Sequence, residues 1–117
     1  MSVEASITTL LRAICPRTFT DFAPVSTLRP YVTYQQIGGE TISFLERAMA
    51  SKENGEFQIN VWSDSRAEAK NLIKQIEAAM IASTAFQARA IAAPASDFDA
   101  DVPVYGSRQD FSVWSDR

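Results

Sequence analysis

The 117-residue chain has no histidine. That removes the commonest general base, the commonest metal ligand and every Ser-His or Cys-His nucleophile arrangement, so most hydrolase mechanisms are excluded. Cysteine is almost as scarce: Cys15 stands alone, so no internal disulfide exists. A lone Cys beside Ile14 at a helix end reads as a small buried hydrophobe. Long apolar runs are missing too. Nothing approaches the roughly 18 residues of a membrane span, and the N-terminus lacks the basic start and apolar core of a secretion signal. A protein made in a cytosol, with no membrane partner, is expected. Basic residues do not dominate either, with 11 Lys and Arg against 14 Asp and Glu and a net charge of -3. A dedicated nucleic-acid surface normally needs clustered positive charge, so no specific nucleic-acid partner is expected. Arg66, Lys70 and Lys74, with Arg89 nearby in sequence, read as a solvated strip.

Two short patterns fall short of known sites. Asp97, Asp99 and Asp101 open like a calcium loop, but the Gly of the next step and the Glu of the twelfth position are absent. Gly38-Gly39-Glu40 lacks the pattern of a phosphate cradle and reads as a turn. The sequence therefore gives no catalytic residues, no metal site and no cofactor.

What is present is enough for one domain over residues 1–117, at 46% hydrophobic and 21% charged. The best-defined stretch is Glu56-Phe57-Gln58-Ile59-Asn60-Val61-Trp62-Ser63. Alternation puts Phe57, Ile59 and Val61 on one face of a strand and Gln58, Asn60 and Trp62 on the other. A helix follows: Ser65 and Glu68 have the S-x-x-E spacing in which two side chains satisfy each other's backbone donors. Ala69, Leu72, Ile73, Ile76 and Met80 then fall on one helical face.

Before this unit, Val3, Ile7, Leu10, Leu11 and Ile14 predict a helix capped by Ser2 and stopped by Pro16. Residues 16 to 30 form a Pro-bearing loop, long enough to be a contact surface, that Phe19, Phe22 and Val25 should pack down. Tyr31 to Ile37 is a strand entering a turn at Gly38-Gly39, with residues 41 to 49 as its partner strand. Asn54-Gly55 marks another turn. After the second helix, residues 86 to 91 form a return strand, 92 to 106 a mobile acidic loop, and 108 to 114 a last alternating strand. The expected fold is α+β, in the order α-β-β-β-α-β-β, with two helices packed on one mainly antiparallel sheet.

Val61-Trp62-Ser63-Asp64 recurs as Val113-Trp114-Ser115-Asp116. By alternation both tryptophans leave the core face, Trp62 beside Gln58 and Asn60, and Trp114 beside Asp110 and Ser112. Either the first helix covers them or another subunit does. Trp is enriched at the energetic centres of interfaces, so Trp62, Trp114, Gln58 and Asn60 are the candidate subunit interface.

In this order and length the chain resembles the small tail completion proteins of tailed bacteriophages, the group of tail-to-head joining and tail terminator proteins. The resemblance rests on the N-terminal helix, the strand Pro30-Tyr31-Val32-Thr33-Tyr34-Gln35-Gln36-Ile37, the strand Phe57-Gln58-Ile59-Asn60-Val61-Trp62 entering its helix, and the closing Asp110-Phe111-Ser112-Val113-Trp114. It implies a non-enzymatic phage or prophage subunit that forms a ring with itself, a hexamer, at the head-proximal end of the virion tail. Tail tube and head connector proteins would be its partners, and the acidic residues Asp97, Asp99 and Asp101 could face the channel. The alternative is a host-encoded ligand-binding or regulatory α+β domain with a Trp-lined pocket.

Overall fold

The computed structural model describes residues 2 to 41 and 51 to 117. Its elements are α1 (Val3–Ile14), β1 (Thr18–Thr20), β2 (Tyr31–Gly38), β3 (Lys52–Ser63), α2 (Arg66–Ala82), β4 (Gln87–Ala90), β5 (Ala95–Asp99) and β6 (Val104–Asp116). Among the described residues the strands form one sheet in the order β1-β2-β3-β6-β4, and β5 also pairs with β6. Among these described strands only β1 and β2 run parallel; the other pairs are antiparallel. This is the expected α+β class.

Both helices begin where their caps require. Ser2 Oγ accepts from the Ala5 amide at 3.1 Å, Glu4 stands in the first turn and Arg12 in the last, each favourable to the helix dipole. At α2, Ser65 Oγ accepts from the Glu68 amide at 3.3 Å. The return half of that exchange takes a detour: the Ser65 amide donates to Ser63 Oγ, and Ser63 Oγ donates to Glu68 Oε1 at 2.5 Å. Ser63, the last residue of the strand, thus locks the strand-to-helix corner.

The helices cover one face of the sheet. Ile7 and Leu11, one turn apart on α1, and Ala69, Ile73, Ile76 and Met80 on α2 meet Phe57, Ile59, Val61, Phe111 and Val113 in a single buried cluster. Burying each large apolar side chain contributes about 1.5–3 kcal/mol. Cys15 is buried at its edge, as expected. Its thiol faces the Pro30 carbonyl at 3.6 Å, and burial pushes the thiol pKa up.

Several boundaries differ from those read in the sequence. Asn54-Gly55 is no turn; it lies inside β3. A Cβ on Gly55 would come 2.7 Å from Phe57 Cε2, so the glycine makes room for the core ring two residues on. Asn54 meanwhile donates to Ser112 Oγ at 2.9 Å and accepts from the Glu40 amide at 2.9 Å. The stretch 92 to 106 is no mobile loop. β5 pairs with the start of β6 from Ala95↔Arg108 to Asp99↔Val104, making a hairpin. Within residues 16 to 30, Thr18–Thr20 adds a short parallel strand. Phe22 and Val25 do not pack down: they are 76% and 97% exposed. Backbone at positive φ at Asp21 and Ser26 turns the loop back on itself. Its backbone is held by bonds such as the Phe22 amide to the Thr20 carbonyl and the Asp21 amide to the Tyr34 carbonyl, and the apolar side chains are left outside. The strand expected over residues 41 to 49 lies, past Thr41, outside the described residues.

Candidate assembly surface

The face of the sheet opposite the helices is built from the alternate residues of the same strands. Cross-strand partners share a face, so the register Tyr31↔Trp62, Thr33↔Asn60 and Gln35↔Gln58 carries that face onto β2. Trp62↔Gly106, Asn60↔Arg108 and Gln58↔Asp110 carry it onto β6. Neither helix covers it. Gln58, Asn60, Trp62 and Trp114 are each half-buried on this surface, so the structure joins Gln58, Asn60 and Trp62 in one row along β3.

Trp114 belongs elsewhere. In the antiparallel β3–β6 ribbon Trp62 stands opposite Gly106 and Trp114 opposite Asn54, so matching motifs at two strand ends fall at opposite ends of the ribbon. Eight residues of strand separate them, about 27 Å at 3.4 Å per residue. A pocket lined by both tryptophans is ruled out by this register. Their settings also differ. A Cβ on Gly106 would sit 2.8 Å from Trp62 Cζ3, so the Trp62 ring lies flat over the glycine. Trp114 instead borders an open groove of about 480 Å³ with Ile81, Phe86 and Lys52, near the end of α2.

A second open groove, of about 470 Å³, lies between loop 21 to 30 and the outer face; Phe22 and Ala23 form one wall and Tyr31, Asn60 and Trp62 the other. The loop's Phe22, Val25 and Leu28 are all strongly exposed. Its setting is held by Arg29, whose Nε donates to Asp64 Oδ1 at 2.6 Å, and by Arg17, whose Nε donates to the Pro30 carbonyl at 3.0 Å.

The three aspartates sit at the other edge of the sheet. Asp97 and Asp99 are in β5 and Asp101 in the turn that follows. Asp97 Oδ1 accepts from the Phe98 amide at 2.8 Å, and Asp99 Oδ1 from the Asp101 amide at 3.0 Å, so both shape the hairpin. The Phe98 and Tyr105 rings pack 4.9 Å apart across it. Phe98 and Val102 are exposed on this hairpin; in the sequence they stand among Asp, Ala and Pro, a composition that reads as an acidic loop and carries no signal of a surface. Among the described residues no cluster of Cys, Asp or Glu is placed to hold a metal ion.

The profile of the family described as "Tail completion protein gp17" matches residues 2–116. A chain of the solved structure described as "Virion of native gene transfer agent (GTA) particle" has a similar fold, with a TM-score of 0.64 and 15% identity, over 99% of this chain and 96% of that one. No curated protein matches the chain. With helices and sheet arranged as above and the family profile spanning nearly every residue, the chain is a structural phage tail protein and belongs to the tail completion protein gp17 family.

Proposed function

We propose that this subunit closes into a ring, a hexamer as the family resemblance implies, at the head-proximal end of the tail, where it joins tail to head or terminates the tail tube. The observation that carries this is the family match across residues 2–116. The fold likeness to a chain of a virion particle, over 99% of this chain, supports a place in an assembled particle. Tail tube and head connector proteins are the partners that such a position requires.

Assembly, not catalysis, is then its activity. A chain without histidine, whose one cysteine is buried, suits a structural ring. A net charge of -3 suits a passage through which DNA slides without adhering. The row Gln58, Asn60 and Trp62, open beside the loop groove, serves the contact between subunits. Trp114, at the far end of the ribbon, is left for a stacked neighbour.

Reconstitution tests the proposal. Particles made in bacteria without this chain should have heads and tails that stay apart, or tails of abnormal length, and adding the purified protein should restore them. Normal particles in its absence would overturn it.

A further inference from the structure

Among the described residues, six of the eight large apolar side chains exposed to solvent fall in two segments: Phe22, Val25 and Leu28 in one, and Ile91, Phe98 and Val102 in the other. The first flanks β2 and the second carries β5, which pairs with β6 on the side away from β3. They therefore lie at opposite edges of the sheet. Their charge balance differs as well, since on the first Arg29 is already paired with Asp64. Residues 17 to 30 hold two Arg and one Asp, whereas residues 91 to 103 hold three Asp and neither Lys nor Arg.

We propose that the ring contact is head-to-tail, the β5–β6 hairpin of one subunit seating Phe98 and Val102 against loop 21 to 30 and Trp62 of the next copy. This rests on the ring reading above and adds which surfaces meet. Two different, complementary patches on opposite sides of one subunit generate a ring when the rotation closes, whereas a two-fold dimer needs a patch that complements itself. The hairpin cannot do that, because a two-fold contact would set three aspartates against three aspartates. The first edge also tells against simple strand addition. The Thr18 carbonyl of β1 accepts from Arg12, and the Thr20 carbonyl from the Phe22 amide, so that edge is already used locally. The contact is made by side chains: an apolar tip, held in shape by the Phe98–Tyr105 ring pair, packs on Phe22, Ala23, Tyr31 and Trp62 of a groove whose other lining residues are Asp21, Thr33, Gln58 and Asn60. Because the tip is ordered beforehand, less conformational freedom is lost on binding. This assigns the aspartates to the subunit contact and not to the channel wall.

The experiment uses the variants Val25→Cys and Val102→Cys, both at exposed positions, with a short bis-maleimide cross-linker on assembled particles and on the concentrated protein. An equimolar mixture of the two single variants should give a cross-linked heterodimer, neither variant alone should give a dimer, and the double variant should give a ladder ending at the ring size. A dimer from Val25→Cys alone or from Val102→Cys alone would mean a two-fold contact and overturn the proposal. A ring seen by mass or microscopy without the heterodimer would overturn the contact while leaving the ring in place. If no oligomer forms in solution or in particles, the ring reading falls and the contact with it.

Discussion

Gln109 Nε2 donates to Glu77 Oε1 at 2.7 Å and to the Ala92 carbonyl at 2.9 Å, tying the middle of β6 to α2 and to the segment between β4 and β5. One buried amide thus fixes where the far edge of the sheet breaks from β4 into β5. Replacing a partner in a buried hydrogen-bonded group costs about 1–3 kcal/mol. Gln109→Met, similar in length but unable to donate, is expected to lose that amount in denaturant unfolding. Amides 95 to 99 should also exchange faster while those of β3 stay protected. Unchanged exchange at 95 to 99 would show that the hairpin does not depend on this tie.

The core of the central ribbon gives the largest effects. Phe57 and Ile73 face each other's elements in the buried cluster and are each 1% exposed. Truncating a buried Phe or Ile to Ala costs about 2–5 kcal/mol, through lost burial and the cavity left behind. Urea unfolding of Phe57→Ala and Ile73→Ala should both fall in that range; a loss under about 1 kcal/mol at either would mean that the site collapses without penalty.

These two residues were also the ones most readily placed from sequence, and the reason is periodicity. β3 alternates strictly and α2 repeats at helical spacing, so both signals are local and need no knowledge of pairing. The short strand Thr18-Phe19-Thr20 carries too few residues for any period, and Ala95-Ser96-Asp97-Phe98-Asp99 is exposed throughout, so its polar letters hide a strand whose evidence is its hydrogen bonds to β6. Asn54-Gly55 misled because its glycine serves Phe57 packing and not a turn. The outer row of Gln58, Asn60 and Trp62 was legible from alternation. The separation of Trp62 from Trp114 was not, since it follows from the β3–β6 register, which no local pattern states.

Trp62 reports on its own seat. The Gly106→Ala variant puts a methyl 2.8 Å from the present position of Trp62 Cζ3, so the ring must move off the sheet. Fluorescence of a Trp114→Phe background isolates Trp62, and its emission should shift to the red when Gly106→Ala is added. An emission maximum unmoved by the added methyl would show that the ring does not rest on Gly106.

Cys15 gives a pH signature. Burial favours its neutral thiol, Glu68 adds to that effect and Arg17 opposes it, so the folded chain keeps this proton to higher pH than the unfolded chain. The stability this represents is fully present below the ordinary thiol value of 9.0 and is lost as pH rises through the raised folded-state value. Melting temperature should therefore drop more steeply above that pH in the native chain than in Cys15→Ala, which has no thiol to titrate. Parallel slopes would place the alkaline loss on other groups.

Ionic strength distinguishes the two places proposed for the acidic hairpin. If Asp97, Asp99 and Asp101 approach Arg17 and the Arg29–Asp64 pair beside a neighbour's loop, attraction to Arg17 should speed the encounter of subunits. Salt screens exposed charges over about 10 Å at 0.1 M and about 3 Å at 1 M, so assembly should slow as salt rises between these values. Dissociation, governed by the apolar contacts of Phe98 and Val102, should change little. Neutralising the outermost acid with Asp101→Asn should reduce both the association rate and its dependence on salt, without the loss of hairpin geometry that changing Asp99 could bring through its bond to the Asp101 amide. Were the aspartates to line a channel instead, neutralisation would relieve repulsion among neighbouring copies, and association would rise or stay level. Stopped-flow light scattering of assembly at several salt concentrations, for the native chain and Asp101→Asn, separates these outcomes by the sign of the change.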